Sequence, residues 1–315
     1  MNEKVAILLS TYNGEKYLDD QIQSIIDQSY KNWVLYIRDD GSKDNTVGII
    51  KRYAEKYSNI IFFNEDNIKN VGVVRSFLDL LKNTNADCYM FSDQDDVWLK
   101  DKIKDSISLL RKKEPGPVCI FTDVEIVDNN LKAIRRMNGN NIWTDFILLL
   151  FTNCVTGCTM LFNSELKKLI KFDELDYNKI FMHDWWIGLI ASAFGNLAYL
   201  NKATMQYRQH GDNVVGSNKK NTLPHIIYRL THLGPERAHV KRVINIAYEF
   251  GREYPEGLTE KERRYINEYG QLTKKSSFWH NLKLVIQLTP QRIYLKGKIF
   301  FSYLVVVFHN DYKNY

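Results

Sequence analysis

The stretch CYMFSDQDDVW (Cys88–Trp98) joins a short apolar run to three carboxylate side chains, Asp93, Asp95 and Asp96. Its apolar residues predict a buried strand that ends at Ser92, and the acids follow at once. A strand that leads from a core into three acids ends either in a turn that faces water or at a bound cation. The segments that precede this stretch decide between the two alternatives.

The first hundred residues alternate between apolar runs typical of strands and amphipathic runs typical of helices. Strands are expected at Val5–Ser10, Trp33–Asp40, Ile60–Asn64 and Cys88–Ser92, and helices at Glu15–Gln28, Thr46–Tyr57 and Val73–Leu81. Strand–helix–strand units of this length favour parallel pairing with right-handed crossovers. The predicted fold class is therefore α/β, with a doubly wound, mostly parallel, Rossmann-like sheet.

The polar residues of this region follow the predicted strands. The first strand leads into Ser10-Thr11-Tyr12, the second into Asp39-Asp40-Gly41-Ser42, the third into Asn64 and the fourth into Asp93–Asp96. In doubly wound sheets the ligand binds outside the carboxyl ends of the strands. We therefore interpret these residues as one binding site and not as four separate turns.

Asp93 and Asp95 have the spacing of a site for Mg²⁺ or Mn²⁺, ions that commonly bind one or two protein carboxylates together with phosphate oxygens. The alternative is an acidic turn before a helix, in which the helix dipole favours Asp96 or Asp101. The glycine-rich signatures of NAD-binding and P-loop proteins are absent. A nucleotide bound without a phosphate loop requires a cation for its charge, which favours the metal interpretation.

Three further candidates each have a structural alternative. The carboxylates of Asp39 and Asp40 are able to accept a hydrogen bond from a nucleobase or a ribose, although Asp-Gly also favours a turn. Asp184, in the segment His183–Trp186, is a candidate general base or else the N-cap of a helix. His210 is a candidate metal ligand or else a solvated loop residue.

The rest of the chain continues the α/β pattern before it changes to helices. Helices are expected at Lys100–Arg111 and Met182–Phe194, strands at Val118–Ile126, Ala198–Leu200 and Ala203–Tyr207, and a loop followed by a strand at Asn153–Asn163. From about Thr222 the pattern predicts helices with basic faces, at Ile226–Leu233, Arg237–Phe250 and Glu260–Leu272. Residues from Gly216 onward contain 17 Lys and Arg against 8 Asp and Glu, so this part is expected to face something anionic.

The C-terminal tail combines aromatic residues with lysines and ends in the apolar run Ile299–Phe308. Ten apolar residues are too few to cross a bilayer. Three uses of this tail stay open: an amphipathic helix in a membrane interface, a segment docked on the first domain, or a homodimer interface.

Composition narrows the class of protein. Hydrophobic residues make up 44% of the 315 residues and charged residues 25%, which excludes disordered and fibrous proteins. The four cysteines lack the spacing of a zinc site, and we expect them to be reduced core residues: Cys88, Cys119, Cys154 and Cys158. The first apolar run is too short for a signal peptide, so a cytoplasmic location is expected. No nucleic-acid-binding module is recognised.

Seven segments, in chain order, together resemble the family 2 glycosyltransferases of GT-A fold: STYNGEKYLDDQIQSI, RDDGSKDNT, NVGVVRSF, FSDQDDVW, TGCTMLF, HDWW and YRQHGDNVVG. They cover about residues 4–216. The variants DQDDVW and YRQHGDNVVG most resemble bacterial, streptococcal-type rhamnosyltransferases, which build cell-wall or capsular rhamnose polysaccharides from dTDP-L-rhamnose.

The resemblance implies roles for the candidate residues. Those implied for nucleotide binding are Ser10, Tyr12, Asp39, Asp40, Arg75 and Asp93, and those implied for the metal, Mg²⁺ or Mn²⁺, are Asp93, Asp95 and His210. Asp184 occupies the position of the general base, where the family usually has an acid-containing pair and this chain has His183 before the acid. The family is inverting, so the reaction would be a single in-line displacement that requires one base.

The resemblance also implies a domain organisation and partners. Residues 1–216 would form the transferase domain, with a nucleotide-sugar-binding half (1–100) and an acceptor-side half (101–216). Residues 217–315 lie outside the resembling segments, and their basic, aromatic composition predicts a helical region for membrane association or dimerisation. The predicted acceptor is a saccharide on a polyprenyl diphosphate at the inner face of the plasma membrane. The alternatives are a UDP-hexose donor and a non-catalytic transferase fold that serves as an assembly partner.

Overall fold

The computed structural model describes residues 2–138, 142–209, 233–289 and 295–312. The chain forms two compact units. The first is Met1–Thr144, Cys154–Tyr177 and Met182–Asn213, and the second is Asp145–Asn153, Asn178–Phe181 and Val214–Tyr315. The sequence-based division at residue 216 stays a prediction. In the structure, residues 145–153 and 178–181 belong to the same compact unit as the C-terminal helices.

The first unit is built on one sheet whose N-terminal strands are parallel. Its first strands are β1 (Val5–Thr11), β2 (Trp33–Asp39), β3 (Ile60–Phe62) and β4 (Cys88–Ser92), joined by the helices α1 (Leu18–Ile26), α2 (Thr46–Lys56) and α3 (Val73–Asn83). β1 pairs in parallel with both β2 and β4, and β3 pairs in parallel with β2. The prediction of an α/β fold with a parallel, Rossmann-like N-terminal half is confirmed.

The sheet continues with strands of both directions. They are β5 (Val97–Trp98), β6 (Val118–Val127), β7 (Ala133–Arg136), β8 (Met160–Asn163) and β9 (Asn196–Arg208), accompanied by α4 (Lys102–Lys113), α6 (Ser164–Lys168) and α7 (His183–Phe194). The order across the sheet is β3-β2-β1-β4-β8-β6-β9-β5, and β7 pairs with β6. β8 is antiparallel to β4 and to β6, whereas β6 and β9 are parallel.

Apolar side chains at the period of each element form the core of this unit. β4 is buried along its whole length, as expected for a strand with helices on both faces. On α1 the buried residues Leu18, Ile22 and Ile25 recur at helical spacing. The registers Thr11↔Asp39 and Leu9↔Ser92 align the carboxyl ends of β1, β2 and β4, so the polar segments after them share one edge of the sheet.

Three features differ from the sequence-based expectations. The two strands predicted at Ala198–Leu200 and Ala203–Tyr207 are one strand, β9, whose register with β6 shifts near Asp123. The polar residues between the two predicted strands therefore belong to an irregular part of a continuous strand. The sequence analysis also missed two short strands, β5 and β7, because two to four residues are too few to show a period.

The second unit is helical. Its helices are α5 (Phe146–Phe151), α8 (Gly234–Glu253), α9 (Glu260–Gly270), α10 (Leu272–Lys275), α11 (Phe278–Leu288) and α12 (Leu295–Val307). Aromatic rings form its centre. Phe151 packs edge-on against Tyr269 and Phe301, with ring centroids 4.8 Å and 5.2 Å apart. Most of the predicted helix Ile226–Leu233 lies outside the described residues. Among the described helices, none has the length and apolar character needed to cross a membrane.

Candidate active site

The carboxyl end of β4 leads into a group of acidic side chains. One carboxylate oxygen each of Asp93 and Asp96 and the Sγ atom of Cys158 lie within 4.8 Å of one another. Cys158 belongs to the 3₁₀ turn Gly157–Thr159, which directly precedes β8. Because β8 pairs with β4, the sheet brings this thiol against two of the three acids of the DQDD segment.

Burial and mutual repulsion change the protonation of this group. Burial, together with the nearby charge of Asp95, raises the pKa of Asp93 to about 7. Burial and the charges of Asp93 and Asp95 raise the pKa of Asp96 well above its ordinary range. Burial also raises the pKa of the Cys158 thiol, which therefore stays protonated. A cation bound here would relieve the repulsion among the carboxylates.

The side chains present fit Mg²⁺ or Mn²⁺. Oδ2 of Asp96 is buried and has no hydrogen-bond partner among the described residues. Asp95 lies outside the three-residue group, but its charge acts on Asp93, so a third carboxylate is close. Carboxylate oxygens suit these hard ions, whereas the protonated thiol of Cys158 does not. His210, the further ligand that the resemblance implies, lies outside the described residues.

Arg208, at the end of β9, donates hydrogen bonds that hold the acidic segment Asp93–Asp96 in place. Its guanidinium donates hydrogen bonds of 3.0 Å to the carbonyl oxygens of Asp95 and Asn129, and its backbone N–H donates to Oδ1 of Asp96 at 3.3 Å. The sequence analysis missed Arg208, although it quoted YRQHGDN for the neighbouring His210. The signal that could have identified Arg208 is its position, because it ends a strand whose preceding residues are apolar at alternate positions.

Gln94 connects the acidic segment to the loop after β1. Its Nε2 donates to the carbonyl oxygen of Tyr12 at 3.0 Å, and its Oε1 accepts from the Tyr12 N–H at 2.8 Å. A Cβ atom on Gly14 would lie 2.3 Å from this Oε1, so the approach of Gln94 requires glycine. The Tyr12 side chain is 47% exposed and accessible to a ligand. The sequence analysis quoted Gln94 but assigned it no role.

Asp39, predicted to lie beside the nucleoside, is fully buried and caps the turn after β2. Its carboxylate accepts hydrogen bonds from the N–H groups of Gly41 and Ser42, at 3.0 and 2.8 Å, and from Oγ1 of Thr11 at 2.9 Å. The turn requires glycine at position 41, where φ is +87°. The Asp-Gly turn considered from the sequence is therefore present, and nucleoside binding by Asp39 stays a prediction.

Asp40 joins β2 to the loop before α3. Its carboxylate pairs with the guanidinium of Arg38 at 2.8 Å and accepts hydrogen bonds from the N–H groups of Val71 and Gly72 at 2.7 and 3.0 Å. The hydroxyl of Ser76, in the first turn of α3, donates to it at 3.1 Å. The carboxylate predicted to hold the nucleoside thus binds four protein groups, and its contact with a nucleotide stays a prediction.

Asp184, the predicted base, lies in the first turn of α7 and is buried. The N-cap of this helix is Met182, so the N-cap alternative for Asp184 is wrong. The backbone N–H of Gly157 donates to its Oδ2 at 2.9 Å, and the N–H of Trp185 donates to its Oδ1 at 2.5 Å. The charge of Asp184 also raises the pKa of Asp93, so the predicted base lies close to the acidic group, and its catalytic role stays a prediction.

His183 is an aromatic core residue. Its imidazole stacks on Phe77 of α3, with ring centroids 4.3 Å apart, and meets Phe91 of β4 edge-on at 4.7 Å. Both ring nitrogens are buried without a hydrogen-bond partner among the described residues. Burial lowers the pKa of His183 to about 3, so the ring is neutral at physiological pH. It is therefore unsuited to act as the base beside Asp184.

Two remaining candidates lie near the ends of β1 and α3. Ser10 is half-buried at the end of β1, in register with Arg38. Arg75 lies with its Nε 3.7 Å from the carboxylate of Asp79 and its guanidinium 5.7 Å from the ring centroid of Tyr177. It lines a cavity of about 640 Å³ whose wall also includes Arg38. The structure thus places Arg75 in the wall of this cavity, and the nucleotide-binding roles of Ser10 and Arg75 stay predictions.

Comparison with known proteins identifies the family. The family described as "Glycosyl transferase family 2" matches residues 6–194, more than half of the chain. The chain belongs to glycosyltransferase family 2. The match extends from β1 through α7, so the acidic segment and Asp184 both lie within the part that defines the family. The prediction that the protein is a glycosyltransferase enzyme is confirmed.

Curated relatives of the family 2 chain include bacterial proteins that are named as sugar transferases. The dTDP-rhamnosyl transferase RfbG of Shigella flexneri is 33% identical over 224 residues, which cover 67% of this chain and 74% of the relative. A beta-1,3-glucosyltransferase of Escherichia coli, WfgD, is 28% identical over 154 residues, which cover 49% of this chain and 57% of the relative.

Solved structures similar to this family 2 chain share its fold. TarS of S. aureus (residues 1–349, with UDP-GlcNAc) is 16% identical with a TM-score of 0.57, and the match covers 98% of this chain and 89% of that one. A mannosyltransferase of Pyrobaculum calidifontis, solved with GDP-Man and Mn²⁺, is 14% identical with a TM-score of 0.51, over 98% and 88% of the chains. At these identities the likeness supports the fold alone, and the GT-A prediction is confirmed.

Proposed function

We propose that the protein is an inverting, metal-dependent rhamnosyltransferase, which moves L-rhamnose from dTDP-β-L-rhamnose to a hydroxyl group of a lipid-linked saccharide. The observation that carries the catalytic part is the position of Asp184. This carboxylate is buried, is held by Gly157 and lies near enough to Asp93 for the two charges to interact. A base and a cation-binding group in one site match the requirements of an inverting sugar transfer.

Each chemical role falls to a side chain of this site. Asp184 accepts the proton of the acceptor hydroxyl as that oxygen attacks the anomeric carbon, and no second base is required in a single displacement. Asp93 and Asp95, together with the nearby carboxylate of Asp96, would hold the cation. When bound, Mg²⁺ or Mn²⁺ would supply Lewis-acid stabilisation of the departing diphosphate. Tyr12 offers an exposed aromatic ring beside the site.

The rhamnosyl donor is supported by the relative named dTDP-rhamnosyl transferase, which is 33% identical over two thirds of this chain. One specific observation favours a second donor class, a UDP-hexose. The relative WfgD is named as a UDP-Glc-dependent enzyme, at 28% identity over a shorter match. The cation-binding and proton-accepting roles proposed above act on the diphosphate and on the acceptor hydroxyl, which both donor classes share, so these roles suit both donors.

The acceptor is proposed to be a saccharide carried on a polyprenyl diphosphate. The name of WfgD includes a diphosphoundecaprenol acceptor, and the C-terminal part of this chain has an excess of basic residues that suits an anionic membrane face. On this proposal the enzyme works at the cytoplasmic side of the membrane, where the nucleotide sugar and the lipid-linked acceptor meet.

A donor panel tests the proposal. Purified full-length protein would be mixed with dTDP-L-rhamnose, UDP-glucose, UDP-GlcNAc or GDP-mannose, each with Mn²⁺, with Mg²⁺ or with EDTA, and both binding and slow donor hydrolysis would be measured. We expect selectivity for dTDP-L-rhamnose that is lost with EDTA. The variant Asp184→Asn serves as the control for turnover, because it should bind the donor without transferring the sugar.

The alternative outcomes distinguish the parts of the proposal. Selectivity for a UDP-hexose would keep the fold and the catalytic site but reject the rhamnosyl donor. Equal activity with EDTA and with Mn²⁺ would reject the metal. Donor binding without hydrolysis would direct the next assay to a synthetic polyprenyl-diphosphate saccharide, and failure with that acceptor as well would reject the acceptor class.

A further inference from the structure

The second unit carries a concentration of exposed apolar side chains on α11 and α12. Six large ones lie between residues 278 and 307, and we call them the α11–α12 surface: Phe278, Trp279, Ile286, Ile299, Tyr303 and Val307. They are six of the thirteen exposed large hydrophobic side chains in the described part of the chain. Trp279, Ile286 and Ile299 are 77%, 74% and 61% exposed, values that a core residue never has.

The spacing of these residues places them in stripes. Trp279 and Ile286 are seven residues apart on α11, and Ile299, Tyr303 and Val307 recur every four residues on α12. Both spacings keep side chains on one face of a helix. Each helix therefore presents one apolar stripe to solvent, and each stripe is about two to three helical turns long.

These stripes are additional to the faces that hold the helices in the unit. Buried side chains occupy the other faces: Leu284, Val285 and Leu288 on α11, and Phe301, Leu304 and Val305 on α12. The side chain of Asn281 donates a 2.7 Å hydrogen bond to the carbonyl oxygen of Val305, which fixes one helix to the other. The exposed stripes are thus surplus to folding, and apolar area of this kind marks an interaction surface.

The charges of this segment identify the partner. No Asp or Glu occurs from residue 269 to residue 310, whereas six basic residues do: Lys274, Lys275, Lys283, Arg292, Lys296 and Lys298. Lys283 is exposed on α11 between Trp279 and Ile286, so a cation stands within the apolar stripe. Lysine is depleted at the centre of protein–protein interfaces. Exposed Trp and Tyr next to lysine, with no acid, match the headgroup region of an anionic bilayer.

We infer that the α11–α12 surface binds the anionic surface of a lipid bilayer, with Trp279 and Ile286 inserted among the headgroups. The apolar side chains enter the boundary of the acyl chains, and the lysine side chains extend to the lipid phosphates. This inference concerns the second unit alone. It deepens the proposed membrane location of the enzyme but does not depend on the donor or the metal proposed above, and its test can fail while the donor panel succeeds.

The test measures whether full-length protein sediments with lipid vesicles. One vesicle composition is phosphatidylcholine alone. The other contains about 30 to 40 mol% phosphatidylglycerol, an anionic lipid that gives the membrane a negative surface potential. We expect sedimentation with the anionic vesicles only, and less of it at high salt. Tryptophan fluorescence gives a second readout. Trp279 is far more exposed than the other tryptophans, since Trp143 is half-buried and Trp33, Trp98, Trp185 and Trp186 are buried, so a blue shift on binding would come chiefly from Trp279.

Three variants make the test specific. The double variant Trp279→Ser with Ile286→Ser should lower vesicle binding by about tenfold or more, because burial of one large apolar side chain is worth more than a factor of ten. Lys283→Glu should weaken binding to the anionic vesicles. Trp279→Phe should bind but lose most of the blue shift. Ile134→Ser, at a position 58% exposed on β7 of the first unit, is the matched control and should bind as the wild type does.

Two results would overturn the inference. One is wild-type protein that stays in the supernatant with both vesicle compositions. The other is a concentration-dependent dimer in sedimentation velocity, without vesicle binding, that the Trp279→Ser and Ile286→Ser double variant converts to monomer. That result would assign the α11–α12 surface to a second copy of the chain. Thermal unfolding of each variant checks that the second unit still folds.

Discussion

The backbone N–H of Gly157 donates a 2.9 Å hydrogen bond to Oδ2 of Asp184. Gly157 opens the 3₁₀ turn that carries Cys158 to the acidic group, and Asp184 lies in the first turn of α7. One hydrogen bond thus connects the proposed base to the turn that contacts the proposed metal ligands. The distance between the proposed base and the proposed metal site therefore depends on Gly157, a position where an added side chain would meet the ring of His183.

The first prediction concerns the base itself. In Asp184→Asn the amide oxygen still accepts from the Gly157 N–H, whereas the amide nitrogen cannot accept from the Trp185 N–H. We therefore expect a modest loss of stability, a retained fold and donor site, and a group that no longer takes a proton. We expect kcat to fall by about 10² to 10⁴, the usual contribution of a general base. The donor Kd, measured by calorimetry with Mn²⁺, should stay within about twofold. A large loss of donor affinity would move Asp184 out of the role of base.

The second prediction is that Gly157→Ala damages turnover without touching any proposed ligand. An added Cβ would lie 2.9 Å from Nε2 of His183 and 3.5 Å from Cβ of Asp184, so the tightly packed His183 ring, and α7 with it, is expected to shift. A displacement of the base by about 1 Å costs up to about 10² in rate. Gly234→Ala is the matched control, since nothing lies within 4 Å of its added Cβ. Equal kcat values for the two variants would show that Gly157 does not position the base.

Much of this site was accessible from the sequence, and the reason is the regular N-terminal half. Strands of clear apolar composition fix where Asp39, Asp93 and Asp95 lie, because the carboxyl ends of neighbouring parallel strands share an edge. Cys158 could not be placed in this way. It reaches the acids through the antiparallel pairing of β8 with β4, a long-range contact that no local period reveals. Sequence reasoning therefore found the acids but not the thiol beside them.

The third prediction links metal binding to pH. Because the pKa of Asp93 is raised to about 7, the metal-free native state binds more protons than the unfolded state from about pH 4 to 7. The contribution of Asp93 to its stability therefore falls as pH rises through that window. A cation offsets the repulsion among the ionised acids, so Mn²⁺ should raise Tm more at pH 7.5 than at pH 5.5.

Asp95→Ala supplies the comparison for this metal effect. It removes one proposed ligand and one repelling charge, so the shift in Tm caused by Mn²⁺ should shrink and its dependence on pH should weaken. Scanning fluorimetry with Mn²⁺ and with EDTA at both pH values measures all four conditions. A wild-type Tm that Mn²⁺ leaves unchanged at pH 7.5 would argue against a cation at the end of β4.

The fourth prediction separates structure from ligand binding at Asp40. Asp40→Ala leaves the buried guanidinium of Arg38 without its ion-pair partner and two backbone N–H groups without their acceptor. Removing one partner of a buried ion pair costs about 3 to 5 kcal/mol, and we expect a loss of that size in the free energy of unfolding by urea. Asp66→Ala, at an exposed position of the same cavity wall, should change it little.

The contrary outcome for Asp40 is also informative. If Asp40→Ala abolishes binding of the nucleotide dTDP but leaves the unfolding midpoint unchanged, the carboxylate turns toward the nucleoside in solution and the family-implied role holds. The sequence could not separate these roles, because a carboxylate after a strand suits both. The difference lies in Arg38, whose inward side chain is visible only once β2, α3 and the loop between them are assembled.

The last prediction concerns His183, which joins α3, β4 and α7 through ring contacts. Burial lowers its pKa from 6.5 to about 3, so the native state binds fewer protons than the unfolded state between these values. The neutral ring therefore contributes stability that is complete above about pH 6.5 and is lost as pH falls toward 3. This sign is opposite to that of Asp93, so a difference between variants is required to isolate it.

In His183→Phe the stack on Phe77 is kept and the titration is removed. We expect the wild type to lose stability relative to this variant by about 1.4 kcal/mol per pH unit below pH 6. Urea unfolding at pH 7.5, 6 and 5 measures the difference, and Phe77→Leu, which disturbs the same contact without removing the imidazole, should give a difference from the wild type that does not vary with pH. A pH-independent difference for His183→Phe as well would mean that the imidazole is hydrated in solution, and the three elements would then meet around water instead of a dry aromatic stack.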